Sequence, residues 1–415
     1  MPAARIDALG GLDREALGRL GREYLLCGHL IDRAGMPHAV GAYGLDDMRD
    51  IAIDEWMGAS PVYTRRMQRL LGIAGGDDVA TVFKGMQFDI GAPHQFLDFR
   101  YRVDGPGAGE FWLDHCGALM DVEPMGEDFV VAMCHHIEDP TFDATAWATN
   151  ARARIRPIHR PPRTPADRHP HCHWTIEIPD DAAPLPEPAV TTRMSATRAA
   201  RVELRRRDDE ATGGRTDYTG DVDPDLRLED FSAAFLRDAI DELCLQGHLL
   251  TISFLAAIEA RHGTEAAVEI GAKQFTGIAG VAADRLRAAL GAPRDLQGVA
   301  TVLDAHPALR PSGYVERTVL LHDDGTDSAR VELRLDPCPA REEQGHESWT
   351  MLLADGRDGA LSALVQAVDP TARVEPLAAD GATLRWGITC GHEPAVEPSE
   401  VVLTRFSTGA DFVLR

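Results

Sequence analysis

Apolar residues recur at helical spacing through "GLDDMRDIAIDEWMGASPVYTRRMQRLLG" (44–72). They do so again through "AAFLRDAIDELCLQGHLLTISFLAAIEARHG" (233–263), so each half of the chain is expected to open helical. Gly58 and Pro61 predict a break in the first of these stretches. The period then changes to two. In "HQFLDFRYRVDGPGAGEFWLDHC" (94–116), Leu97, Phe99, Tyr101 and Val103 alternate with Asp98, Arg100 and Arg102, and "DGPGAG" supplies a hairpin turn. The stretch "GYVERTVLLHDDGTDSARVELRLD" (313–336) has the same form. Short helices are expected near 127–149 and 346–368, and each half closes on a strand carrying a tryptophan, Trp174 or Trp386. The expected class is α+β, helices packed on an antiparallel sheet, twice over.

Four segments match between the halves in the same order. "CGHLI" (27–31) answers "QGHLL" (246–250), and "RLLGIAGGDDVATVF" (69–83) answers "AALGAPRDLQGVATVL" (288–303). "FWLDHC" (111–116) answers "LRLDPC" (333–338), and "CHWTI" (172–176) answers "LRWGI" (384–388). Their spacing is nearly constant, which implies a tandem repeat: residues 1–178, a Pro- and Asp-rich linker at 179–226, and residues 227–415.

Composition narrows the partners. Lys and Arg number 42 against 66 Asp and Glu, which argues against a nucleic-acid or anionic-membrane surface. The basic run "RVELRRR" (201–207) is followed at once by acids and reads as linker. No signal-peptide core and no run of about 18 apolar residues is visible, so a cytoplasmic protein is expected. Seven cysteines in so long a chain suggest reduced thiols instead of a disulfide framework. "GPGAGE" lies inside a hairpin, and no P-loop, G-x-S-x-G or H-E-x-x-H occurs. A small-molecule substrate is the expected partner, with a homo-oligomer left open.

Chemistry concentrates in the first half. Seven histidines (115, 135, 136, 159, 169, 171, 173) and Cys116, Cys134 and Cys172 fall within residues 115–173, while the second half keeps only Cys338 of the three cysteine positions. Thiolate and imidazole together suit zinc, with iron or copper as alternatives, and Cys116, Cys134, His159 and Cys172 form a candidate ligand set. Strict alternation would turn Cys116 toward the polar side with Asp114, so the set requires the chain to re-aim it near 115–117. In "HCHWTIEI" (171–178), Cys172 should point inward beside Trp174, with His171 and His173 outward. Packed cysteines with surface histidines, and a cysteine nucleophile with a histidine base, are the competing readings. His29 and His248 occupy matching "GHL" positions, which favours a structural role for both. Asp139 and Asp143 fit either as orienters of ligand histidines or as caps of a helix starting near Pro140.

The motifs "LDHC", "MCHHIEDP" and "HRPPRTPADRHPHCHW" resemble the bacterial proteins grouped around L-2-amino-thiazoline-4-carboxylic acid hydrolase, over residues 20–178 and more faintly 230–390. The resemblance points to Cys116, Cys134, Cys172 and Trp174. It puts His159 where relatives have a further cysteine, and it implies hydrolytic ring opening of a small sulfur heterocycle. The expectation is therefore a zinc-dependent, hydrolase-like enzyme acting on a small cyclic amide, imine or thiazoline, with His135, His136 or His171 moving protons. The alternatives are a non-enzymatic protein with a structural Cys3His zinc site and a metal-free cysteine hydrolase.

Overall fold

The computed structural model describes residues 3–207, 213–322, 329–343 and 348–406. The acids after the basic run and the expected turn of the second hairpin fall outside them. A short strand β1 (Ala4–Arg5) precedes two long helices, α1 (Arg14–Tyr43) and α2 (Leu45–Leu70), then α3 (Val79–Met86). The hairpin β2 (Leu97–Gly105) and β3 (Ala108–Cys116) leads to α4 (Gly117–Val122), α5 (Glu127–Val131), a π-helical turn (Ala132–Ile137) and α6 (Glu138–Trp147). Strands β4 (Arg154–His159) and β5 (Cys172–Glu177) complete an antiparallel sheet ordered β2-β3-β5-β4.

After α7 (Ala189–Ser195) and α8 (Arg198–Arg201) come α9 (Ala233–His262), α10 (Thr264–Leu290) and α11 (Leu296–Ala305). Then follow β6 (Arg317–His322), β7 (Arg330–Leu335), α12 (Trp349–Ala354), α13 (Gly359–Val368), β8 (Ala372–Asp380), β9 (Thr383–Cys390) and α14 (Ser399–Phe406). The second sheet runs β1-β6-β7-β9-β8 and is also antiparallel, with the N-terminal strand β1 added at its edge by pairing with β6. The class is therefore α+β. The long helices pack on one another, α1 on α9 and α10, and α2 on α9. The shorter pairs α3/α6 and α11/α13 contact both a long helix and a sheet.

The expected break in α2 does not occur. Pro61 removes the N–H that would bond the Met57 carbonyl, and that carbonyl instead accepts from the Thr191 hydroxyl of α7 at 2.6 Å. Gly58 is a packing requirement, because a Cβ there would stand 2.2 Å from Ser253 Oγ on α9. The expected linker is anchored at several points, though most of its described residues are exposed. Arg66 of α2, almost fully buried, holds Glu242 of α9 through two bonds of 3.0 and 3.2 Å and takes the carbonyls of Ala200 and Val202. Arg207 of the basic run pairs with Asp238 and Asp241. Among the described residues one helix, α9, is long and apolar enough to cross a membrane by length and composition, where the sequence predicts no such stretch. It is almost wholly buried because α1, α2 and α10 surround it.

Candidate functional site

A cavity of about 640 Å³ lies in the first half. Helix α1 supplies its floor. His29, Asp32 and Arg33 are spaced i, i+3, i+4, so they share one face of a helix that is otherwise apolar there, and all three line the cavity. Trp56 and Tyr63 arrive from α2, Asp89 from the loop after α3, Cys116 from β3, Asp121 from α4, and Glu138 from the junction of the π-helical turn and α6. The walls are apolar and rich in methionine, with Met36, Met48, Met86, Met120, Met125 and Met133 all contributing. Leu403 of α14 reaches the cavity from the far end of the chain. A π-helical turn inside an α-helix often marks a functional site, and this one carries Met133 and Ile137 to the cavity wall.

The polar groups on the floor are only partly satisfied. Trp56 Nε1 donates to Asp32 Oδ1 at 3.2 Å. Tyr63 Oη and the Gly91 N–H donate to Asp89 Oδ1 at 2.8 and 2.7 Å. Arg33 Nε stands 3.9 Å from Asp32 and 3.8 Å from Asp121, too far for a hydrogen bond to either. Neither ring nitrogen of His29 has a partner at hydrogen-bond geometry, nor do Asp121 Oδ2 and Glu138 Oε2. Polar atoms kept from bulk water without partners call for a ligand or trapped water.

Burial sets the protonation states. It raises Glu138 to about 8, against the pull of Arg160, and Asp121 to about 7, against Arg33. Asp89 rises to about 6 through burial, despite its two donors. Glu55, beneath the floor, is pushed well above its usual range by burial and then by its neighbour Asp32. Burial and Arg33 drive His29 down to about 3, so its imidazole is neutral. The cavity thus holds carboxyl groups able to exchange protons near neutral pH.

The three first-half cysteines converge. Cys116, Cys134 and Cys172 are all buried and all lie within electrostatic reach of Glu138. Cys116 is re-aimed by a β-bulge: Phe99 pairs with Leu113 but Asp98 with His115, leaving Asp114 as the extra residue and turning Cys116 inward. Its Sγ accepts the Leu119 N–H at 3.3 Å, and burial followed by Glu138 pushes the thiol to about 12. Alternation in β5 turns Cys172 and Trp174 inward as expected, but His171, expected outward with His173, is buried just before the strand.

The histidines are elsewhere. His159 pairs across strands with His173, their rings 6.0 Å apart, so it lies on the face of the sheet opposite Cys172. His173 Nε2 meets Glu110 at 2.7 Å on that same face. His135 Nε2 contacts the Pro161 carbonyl at 2.7 Å and His136 is exposed, and neither lines the cavity. His171 is buried beside His115 and His169 and pushed to about 4 by burial, also away from the cavity. Among the described residues no group of three or more His, Cys, Asp or Glu is placed to hold a metal ion. Asp139 pairs with Arg160, and Asp143 accepts from the Ile155 N–H and Arg156. Neither caps a helix, because α6 continues from the π-helical turn.

Among the described residues, the second half differs at the matching sequence offset. Gly44 and Gly263, each with φ 87°, join the long helices of their halves. At the offset they define, His29, Asp32, Arg33, Glu55 and Trp56 answer to His248, Thr251, Ile252, Gln274 and Phe275. There His248 is satisfied by the Arg310 carbonyl at 2.7 Å, and Trp349 fills the space, 5.5 Å from His248 and stacked on Phe275 at 5.2 Å. The halves thus share a histidine but not its surroundings. The signal overlooked in the sequence is the polar triplet His29, Asp32 and Arg33 within an apolar helix face.

Comparison of the chain with protein-family models, with curated proteins and with solved structures gave no match.

Proposed function

We propose that the first-half cavity is the catalytic site of a small-molecule enzyme, hydrolase-like, with Glu138 as general acid and base and Cys116 as the adjoining thiol. The observation that carries this reading is the set of groups on the floor with polar atoms short of hydrogen bonds, His29, Asp121 and Glu138, inside a cavity of substrate size. A carboxyl group raised to about 8 can give a proton to a leaving nitrogen or sulfur and then take one from water. Small cyclic amides, imines and thiazolines are the substrates to test, as the resemblance implies. We read the two halves as products of one duplication, of which the first retains the site.

A screen of such compounds by mass spectrometry, wild type beside Glu138→Gln and Cys116→Ser, tests the site. Turnover by wild type should fall about 10²- to 10⁴-fold in Glu138→Gln. Turnover unchanged in both variants would move the chemistry out of the cavity. A pH titration checks the carboxyl directly. A group whose folded pKa is raised favours the folded state below its unfolded pKa, and that advantage fades as pH climbs through the folded value. Between pH 5 and 9, wild type should therefore lose stability relative to Glu138→Gln, whose amide does not titrate. Parallel unfolding midpoints across that range would refute the assignment.

The zinc reading would have to rest on Cys116, Cys134 and Cys172, since His159 stands across the sheet. His159→Ala should leave the metal content of the purified chain unchanged, as measured by plasma mass spectrometry beside Cys172→Ser. A stoichiometric metal lost on removing His159 would restore the four-ligand set.

A further inference from the structure

We infer that the first-half cavity takes an organic cation, an amine or protonated imine carried on an apolar body. This deepens the reading of the cavity as the substrate site and rests on it. Asp32, Asp89, Asp121 and Glu138 line the cavity, and among the described residues the one cationic side chain lining it is Arg33. That guanidinium is divided between Asp32 and Asp121 at 3.9 and 3.8 Å, and Asp89 is held only by the neutral donors Tyr63 and Gly91. Arg160, the cation that bears on Glu138, is itself paired with Asp139. Burial raises Glu138 and Asp121 toward their neutral form, and a positive ligand beside them would favour the ionised form, a positive charge that, among the described residues, the floor itself supplies only through Arg33.

His29 points to the same ligand independently. It is 6 % exposed, lines the cavity, and among the described residues meets only the Ile90 backbone as a candidate hydrogen-bond partner, which leaves a ring nitrogen for a ligand. Burial keeps this imidazole neutral, so one nitrogen is an acceptor for an N–H donor. Trp56, Phe99, Phe129 and Phe142 present aromatic surface to the same space, which favours a cation over a neutral or anionic head. The methionine walls leave the shape of the apolar body loosely defined. A ligand bearing a carboxylate or phosphate would face four acids for one guanidinium. Among the substrates named above, a basic cyclic imine fits better than a carboxylated thiazoline.

Three matched probes test the inference on the full chain by titration calorimetry at physiological ionic strength: 2-phenylethylamine, 2-phenylethanol and 3-phenylpropanoate, with Nile red reporting apolar occupancy. The amine should bind at least about tenfold tighter than the alcohol, and the carboxylate weakest of the three. Glu138→Gln should remove most of the amine's preference and leave the alcohol's affinity in place. Asp121→Asn serves the same purpose should Glu138→Gln not fold. Equal binding of amine and alcohol, or a preference that survives both substitutions, overturns the cation assignment while leaving the cavity as a ligand site. Failure of all three probes and of Nile red to bind overturns the cavity reading itself.

Discussion

Truncation of Trp349 to alanine is expected to lower stability by about 3–5 kcal/mol, the range for removing a large aromatic from a packed core. Trp349 is 1 % exposed and stacks on Phe275, and its indole N–H has no partner, so the loss comes from packing and not from a broken hydrogen bond. The variant should also admit benzene or xenon into the second half, at the place that corresponds to the native cavity of the first. Denaturant unfolding and xenon uptake measure the two parts. A loss under about 1 kcal/mol without uptake would mean that the surroundings collapse and that Trp349 does not hold that space open.

Replacement of Arg66 by alanine is expected to cost a similar amount, about 3–5 kcal/mol, because it leaves the carboxylate of Glu242 buried with one partner fewer. Arg206 still reaches Glu242 Oε1 at 3.1 Å, which puts the expected loss toward the lower end. Arg66→Lys should not rescue it, since one ammonium cannot serve both carboxylate oxygens and the carbonyls of Ala200 and Val202. The double replacement Arg66→Met, Glu242→Leu should recover much of the stability by removing both charges. Unfolding midpoints decide this, and trypsin cleavage within 198–207 should quicken in Arg66→Ala, because the arginine also fastens that segment. A neutral Arg66→Ala would mean that Arg206 alone satisfies Glu242.

Much of the fold was legible because each element carries its own period. The alternation in β2, β3 and β5, the long helical stretches, and the closing strands with Trp174 and Trp386 are all local patterns. What could not be read locally depended on distant partners. Pro61 looked like a helix break because the hydroxyl that replaces its missing hydrogen bond belongs to Thr191, far along the chain. Cys116 was placed in doubt by alternation because a bulge at Asp114 is a property of the pairing with β2 and not of β3 itself.

The site was less legible, for a different reason. Density of cysteine and histidine drew attention to residues 115–173. The thiols do gather there, while His135, His136, His159 and His171 lie outside the cavity. His29 was discounted because the second half keeps a histidine at the same place. Sharing the residue proved less informative than the neighbours, for His248 has a carbonyl partner and Trp349 against it, while His29 faces open space with Asp32 and Arg33. A cavity is defined by the large side chain that is missing, and no motif records that.

The cavity is assembled from both ends of the chain. Gln246 of α9 pins the loop that carries Asp89, accepting the Ile90 N–H at 3.1 Å and donating to the Phe88 carbonyl at 2.9 Å, and Leu403 contributes to the wall. During synthesis on the ribosome the first 178 residues can therefore leave the exit tunnel without forming a finished binding site. The wall is finished only after α14 has followed α9 out of the ribosome, so the first half by itself lacks part of the cavity.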